Sequence, residues 1–138
     1  MYTFEKISYT EALELLQQVV QEALRIKKHV AASVAGPEGE LIAFIRMDEA
    51  SPAASVIAHN KAYTSARDRK STKQMGDFML GNDRPPAFWG DKSITGFGGG
   101  VPIVQQGKVI GGIGISGLSE DEDERIARVA IQAVFKYS

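Results

Sequence analysis

The sequence predicts an α+β fold in which an antiparallel sheet is flanked by helices, and three observations lead there. Two pairs of short apolar segments are each joined by a tight turn, at Gly36-Pro37-Glu38-Gly39 and Gln105-Gln106-Gly107-Lys108, so each pair reads as a hairpin. Ser8, Ser51, Ser71 and Ser119 each stand at the start of a helical pattern. Nine of the 14 glycines lie between Gly96 and Gly117, where Gly112, Gly114 and Ser116 alternate with Ile113 and Ile115. Side chains alternate sides along a strand, so one face there carries bulk and the other is nearly bare backbone. Either a helix of this chain or a ligand must lie flat on the bare face.

In chain order, the first helix runs from about Ser8 to Lys28. Ser8 and Glu11 have capping-box spacing, and Leu13, Leu16, Val20 and Leu24 mark an apolar stripe widened by Leu15, Val19, Ala23 and Ile26. So wide a stripe predicts a well-buried helix or one at an oligomer contact. The first hairpin follows, Val30 to Ala35 and Glu40 to Met47, with Pro37 and Gly39 placed for a type I turn. Both strands are apolar on both faces, which predicts a sheet covered on both sides.

Ser51-Pro52 reads as an N-cap with proline in the first turn of a helix that continues to Arg67, rich in small residues. Ser71 and Gln74 cap a further helix through Met75, Phe78, Met79 and Leu80, stopped by Gly81. A loop spans Asn82 to Asp91, and one more short strand is expected near Ile94. The glycine-rich hairpin comes next, and a last helix from Ser119 to about Tyr137 closes the chain. With 138 residues this is a single domain, 1–138, that should bury roughly two-thirds of its unfolded surface.

Several function classes are excluded or disfavoured. Net charge is −1, which gives no global field for nucleic acid or an anionic membrane. The basic run Arg67, Arg69, Lys70, Lys73 is broken by Asp68 and lacks interleaved aromatics, so it reads as a solvated helix end. Absence of cysteine rules out disulfides, thiolate metal sites and a cysteine nucleophile. No apolar run approaches membrane length, Met1 to Lys6 does not resemble a signal peptide, and a cytoplasmic protein is expected.

Gly112-Ile113-Gly114-Ile115-Ser116-Gly117 spells GxGxxG, yet its glycines lie inside a strand rather than in the turn after one. The next helix opens with five consecutive carboxylates, Glu120 to Glu124, which suit the helix dipole and would repel a phosphate. A hydrolase triad drawn from Ser116, His59 and an aspartate lacks a strained nucleophile turn. Zinc is not expected, since His29 and His59 stand 30 positions apart without cysteine support.

Four segments in order carry a resemblance: Phe44-Ile45-Arg46-Met47-Asp48; Ala54-Ser55-Val56-Ile57-Ala58-His59-Asn60-Lys61-Ala62-Tyr63-Thr64; Gly99-Gly100-Val101-Pro102-Ile103; and Val109 to Gly117. Together they resemble the GlcG/HbpS family, which includes GlcG, the haem-binding protein HbpS and the C-terminal domain of PduO-type cobalamin adenosyltransferases. The resemblance covers nearly the whole chain. It implies a profilin-like three-layer α/β/α sandwich with a five-stranded antiparallel sheet, a homo-oligomer, and a link to haem or corrinoid handling in glycolate, glycerol or diol metabolism. It implies no agreed reaction, and the adenosyltransferase activity belongs to a domain absent here.

With haem as candidate cofactor, His29 and His59 are the only imidazole ligands, although each also fits a structural role, His29 at a helix end and His59 on a helix surface. At His59 the chain departs from the family pattern. Tyr63 and the four methionines are other conceivable axial ligands. Arg46 has the fork geometry to hold a carboxylate or propionate, or to pair with Asp48 or the following helix. Lys61 lines the same cleft or stands exposed on its helix. Phe97, beside Gly99 and Gly100 and near Phe88 and Trp89, floors a flat ligand site or plugs an edge or contact. Three readings follow: a small-molecule-binding accessory protein for haem or a related tetrapyrrole; a homo-oligomeric assembly protein without cofactor; and an enzyme acting on a small carboxylate or carbonyl compound through Arg46, Asp48 and Lys61. The first ranks highest.

Overall fold

Serine hydroxyls open all four α-helices of the computed structural model, which describes residues 1–136. Ser8 Oγ accepts the Glu11 N–H at 3.1 Å while the Glu11 carboxylate accepts the Ser8 N–H at 2.9 Å, a full capping box at the start of α1 (Tyr9–Arg25). Ser51 caps α2 (Pro52–Asp68), and Ser71 with Gln74 forms a second box for α3 (Thr72–Gly81). Ser119 caps α4 (Glu120–Phe135); the expected helix end near Tyr137 lies outside the described residues.

Between these helices run β1 (Ala31–Ala35), β2 (Leu41–Arg46), β3 (Gly100–Gln105) and β4 (Lys108–Ser116). They form one antiparallel sheet in the order β2-β1-β4-β3, so the two hairpins join through their inner strands. The expected fifth strand is not there: the described residues hold four strands, and Ile94 lies in a loop. Its neighbours find partners elsewhere, because Thr64 Oγ1 donates to the Ser93 carbonyl at 3.2 Å and accepts the Thr95 N–H at 3.1 Å. A side chain on α2 therefore takes the place of a sheet neighbour.

One sheet face, through Ala32, Val34, Ile113 and Ile115, packs with α1 and α4 into the main core. α1 reaches it through Ala12, Leu15, Leu16, Val19 and Ala23. The expected stripe was centred one residue too far round the helix, for Leu13 and Leu24 stay half exposed, at 50% and 57%. α2 lies flat on the opposite face. A Cβ at Gly114 would stand 2.5 Å from the Ala62 nitrogen, and one at Gly112 would stand 2.6 Å from the Ala62 oxygen. The bare glycine face thus receives a helix of the same chain, whose Ala54, Ala58, Ala62 and Ala66 are buried against it. Coverage is incomplete at β2, where Leu41, Phe44 and Arg46 are exposed although the sequence predicted both faces covered.

Candidate functional site

Two polar anchors fix the region around the glycine-rich hairpin. At the first, Lys61 projects from α2 through the sheet layer. Its ammonium donates to the Ile115 carbonyl at 2.7 Å and lies 3.1 Å from Asp123 Oδ2. The other Asp123 oxygen accepts the Leu118 N–H at 3.2 Å. Both side chains are almost completely buried. Burial pushes the Asp123 carboxyl above the usual carboxylate range, opposed by the Lys61 charge and by the hydrogen bonds it accepts. Gly99, at φ +122°, passes directly over this pair; a Cβ there would stand 2.8 Å from Lys61 Nζ. Gly100 presses on the Lys61 carbonyl, and its N–H donates to Thr72 Oγ1 at 2.8 Å.

The second anchor holds the segment between α3 and β3. Tyr63 donates its hydroxyl to Asp91 at 2.7 Å, which raises the phenol pKa and lowers that of the carboxyl. Arg67 stacks over the Tyr63 ring at 4.9 Å. Further on, Gly96 and Gly76 of α3 meet backbone to backbone, and the Gly98 N–H donates to Glu120 at 2.6 Å.

Between α3 and this strapped segment opens a cleft of about 710 Å³ with apolar walls from Met79, Leu80, Pro85, Pro86, Ile94 and Phe97. Asp83, Arg84 and Glu120 stand at its polar margin. Leu80 and Phe97 are exposed at 86% and 59%, a concentration of apolar surface that signals a binding site. Nearby, Phe78 and Trp89 meet edge to face at 6.1 Å, and Arg84 lies over the Phe88 ring at 5.4 Å. Trp89 and Phe88 belong to a short 3₁₀ turn, Pro86–Trp89, within what the sequence marked as a loop.

The predicted site residues are therefore divided. Phe97 lines the cleft. Lys61, Gly99 and Gly100 come together, as packed structure around a buried ion pair. Arg46 ends β2, exposed, and His29 lies 3.6 Å from Glu49 beyond the end of α1. His59 stands on α2 with its ring 6.2 Å from that of Tyr63. Its Nδ1 is buried without a hydrogen-bond partner, so it lacks the second contact that orients an iron-ligating imidazole. Sequence reasoning did not single out Leu80, Arg84 or Ile94 as binding residues. The run Met79-Leu80 before Pro85-Pro86 was visible, yet only the return of the chain at Gly96 makes it a wall. No group of three or more His, Asp and Glu side chains suited to a metal ion occurs among the described residues. None of the described helices is long and apolar enough to cross a membrane.

For haem, the apolar walls fit a flat ring and Arg84 fits a propionate. Met79, buried with its sulfur facing Gly96, offers the cleft's one thioether as an iron ligand.

Comparisons with known proteins agree with the fold and its family. The family model for "Haem degrading protein HbpS-like" matches residues 7–132. A 15.0 kDa protein from the dhaT-dhaS intergenic region of Citrobacter freundii is 33% identical over 131 residues, covering 91% of this chain and 89% of that one. Protein GlcG of Escherichia coli K12 is 38% identical over 96 residues, 70% of each chain. The crystal structure of a PduOC–haem complex superposes with a TM-score of 0.86 at 28% identity, over 94% of this chain and 95% of that one. On this evidence the chain belongs to the HbpS-like family, with GlcG among its relatives.

Proposed function

We propose that this chain is a small-molecule-binding accessory protein that takes up haem, or a related tetrapyrrole, in the cleft between α3 and the 82–97 segment, on a profilin-like layered scaffold. The observation that carries the reading is an open apolar cleft of about 710 Å³ with Arg84 at its margin. Supporting it are the family's description as haem-degrading and the structure of a relative in complex with haem. Bound in this way, a haem would be held by Leu80 and Phe97 against its ring and by Arg84 at a propionate, and Met79 would be the candidate to supply a thioether to the iron. In this reading the protein works in the cytoplasm, alongside glycolate, glycerol or diol metabolism. No catalytic step is assigned, because Lys61 is buried in an ion pair and does not share an open site with Arg46.

The test is a haemin titration followed by Soret absorbance on wild type, Leu80→Asp, Phe97→Asp, Met79→Leu, His29→Ala and His59→Ala. Burying either apolar side chain is worth about 1.5–3 kcal/mol, so each Asp variant should weaken binding by more than about tenfold. Met79→Leu should shift the Soret band, and the histidine variants should bind as wild type does. Lack of saturation in wild type would overturn the haem reading. Binding lost only in His59→Ala would keep haem but move the site to α2.

A further inference from the structure

We infer that β2 is the interface for a second copy of this chain, paired antiparallel with its own symmetry mate about Ile45. The argument begins with the phase of the hydrogen bonds. Met47 donates its N–H to the Val30 carbonyl at 3.0 Å. Bonded and non-bonded residue pairs alternate along an antiparallel ladder. With Ala31 opposite Arg46 and Ser33 opposite Phe44, the bonded pairs are Val30/Met47, Ala32/Ile45 and Val34/Ala43. The N–H and C=O groups of Phe44 and Arg46 therefore point out of the sheet, at its open edge.

The two outer strands differ in how they treat that edge. In β3 the outward-pointing position opposite Gly112 is Pro102, which has no N–H to offer. β2 has no proline and carries one charge, Arg46. Past a bulge at Ile42, its edge runs uninterrupted from Ala43 to Arg46, the form that another strand extends.

The side chains indicate which strand. Phe44 and Arg46 both pair with residues of β1 on the α2 face, Ser33 and Ala31, so they share that face. Phe44 is 40% exposed, and Arg46 is exposed and pairs with no carboxylate among the described residues. A two-fold axis at Ile45 places Phe44 of each copy opposite Arg46 of the other. All four backbone groups are then used twice, giving four hydrogen bonds, and each guanidinium lies beside the other copy's phenyl ring. Ile45 faces its own equivalent on the other side of the sheet. A single three-residue element, Phe44 to Arg46, thus supplies both donor and complement, which is what an isologous contact requires.

The chain has no cysteine, so one introduced thiol reports the contact cleanly. Ile45 forms a non-bonded pair with itself across the axis, at a Cα separation of about 4.5 Å, within disulfide reach. Sedimentation equilibrium of the wild-type chain should show concentration-dependent dimers or even-numbered oligomers. Ile45→Cys should form disulfide dimers under mild oxidation, while Leu13→Cys on the exposed side of α1 should not. Phe44→Arg sets like charges opposite each other twice and should raise the dimer dissociation constant at least about tenfold. The double variant Phe44→Arg, Arg46→Asp should restore association, which a merely misfolded single variant would not explain. A wild-type chain that stays monomeric at high concentration overturns the inference. So does an oligomer that ignores Phe44→Arg and cross-links through Leu13→Cys instead.

Discussion

Lys61 Nζ lies 3.1 Å from Asp123 Oδ2 where α2, β4 and α4 converge, and the two side chains are 3% and 2% exposed. Each charge is there only because the other is. A buried pair adds little over a well-packed apolar pair, but removing one member leaves an uncompensated charge and costs about 3–5 kcal/mol. Urea titrations of Asp123→Leu and of Lys61→Met should each show a loss of that order. The double variant should lose much less than the sum. The sign with pH follows from burial, which raises the folded-state pKa of Asp123. The native state keeps that proton at pH values where the unfolded chain has released it, so this group's contribution falls as pH rises from the ordinary carboxylate range to the raised value. Without the Lys61 charge the pKa should climb further. The cost of Lys61→Met should therefore shrink as the medium is acidified, and a cost independent of pH would contradict the account.

The bed under α2 gives a second prediction, with two substitutions of opposite sign. At Gly114 a Cβ would collide with the Ala58 carbonyl and stand 2.5 Å from the Ala62 nitrogen, all backbone, so neither side can yield cheaply. Gly114→Val should cost roughly 1–3 kcal/mol through overpacking. Gly81, the last residue of α3, has nothing within 4 Å of its Cβ position. Gly81→Ala should stabilise by roughly 0.4–1 kcal/mol through the reduced entropy of the unfolded chain. Thermal unfolding of both variants reads the two signs directly.

These residues also mark what was legible in the sequence. Capping serines, turn glycines and the bare face at Gly112 and Gly114 are local signals, and each element they announced is present. What failed depended on distant partners. Leu13 and Leu24 look like core because their spacing is helical, and only the placement of α4 decides which flank of α1 is buried. Ile94 looks like strand until Thr64, thirty residues earlier, takes the hydrogen bonds of its neighbours. The same distinction governs the candidate site. Phe97 was found beside its glycines, whereas Leu80 and Arg84 become walls only when Gly96 returns to Gly76. Lys61 read as a cleft residue or an exposed helical lysine, and not as half of a buried pair, because its partner, Asp123, lies 62 positions away in a run of carboxylates that explained itself as a helix start.

That return of the chain can be tested by itself. A Cβ on Gly76 would run into the Gly96 carbonyl oxygen, and Gly96 is fixed by its neighbours Thr95, bonded to Thr64, and Gly98, bonded to Glu120. Gly76→Ala should therefore displace the segment that carries Ile94 and Phe97 away from α3. The expected result is a weakened haemin affinity together with a lowered Tm. Gly81→Ala, five residues along the same helix, should leave the affinity unchanged. Equal affinities for the two variants would mean that the Gly76 contact does not shape the cleft.

Glu22 supplies the clearest pH dependence. Its carboxylate receives Arg25 at 2.6 Å within α1 and Arg125 at 2.8 Å from α4, tying together the two helices on one face of the sheet. The hydrogen bonds from Arg25 and Arg125 lower its pKa from 4.5 to about 2. A carboxyl whose folded pKa is depressed contributes stability that is fully present above the unfolded value and lost as pH falls through the folded one. The window here runs from about 4.5 down to about 2. Glu22→Gln should therefore be less stable than wild type at neutral pH, with the difference shrinking through that window and gone below it. Both arginine side chains are substantially exposed, at 65% and 43%, so high salt should also narrow the gap at neutral pH. A difference that persists unchanged below the window would contradict the assignment of this stability to the ionised Glu22 carboxylate between Arg25 and Arg125.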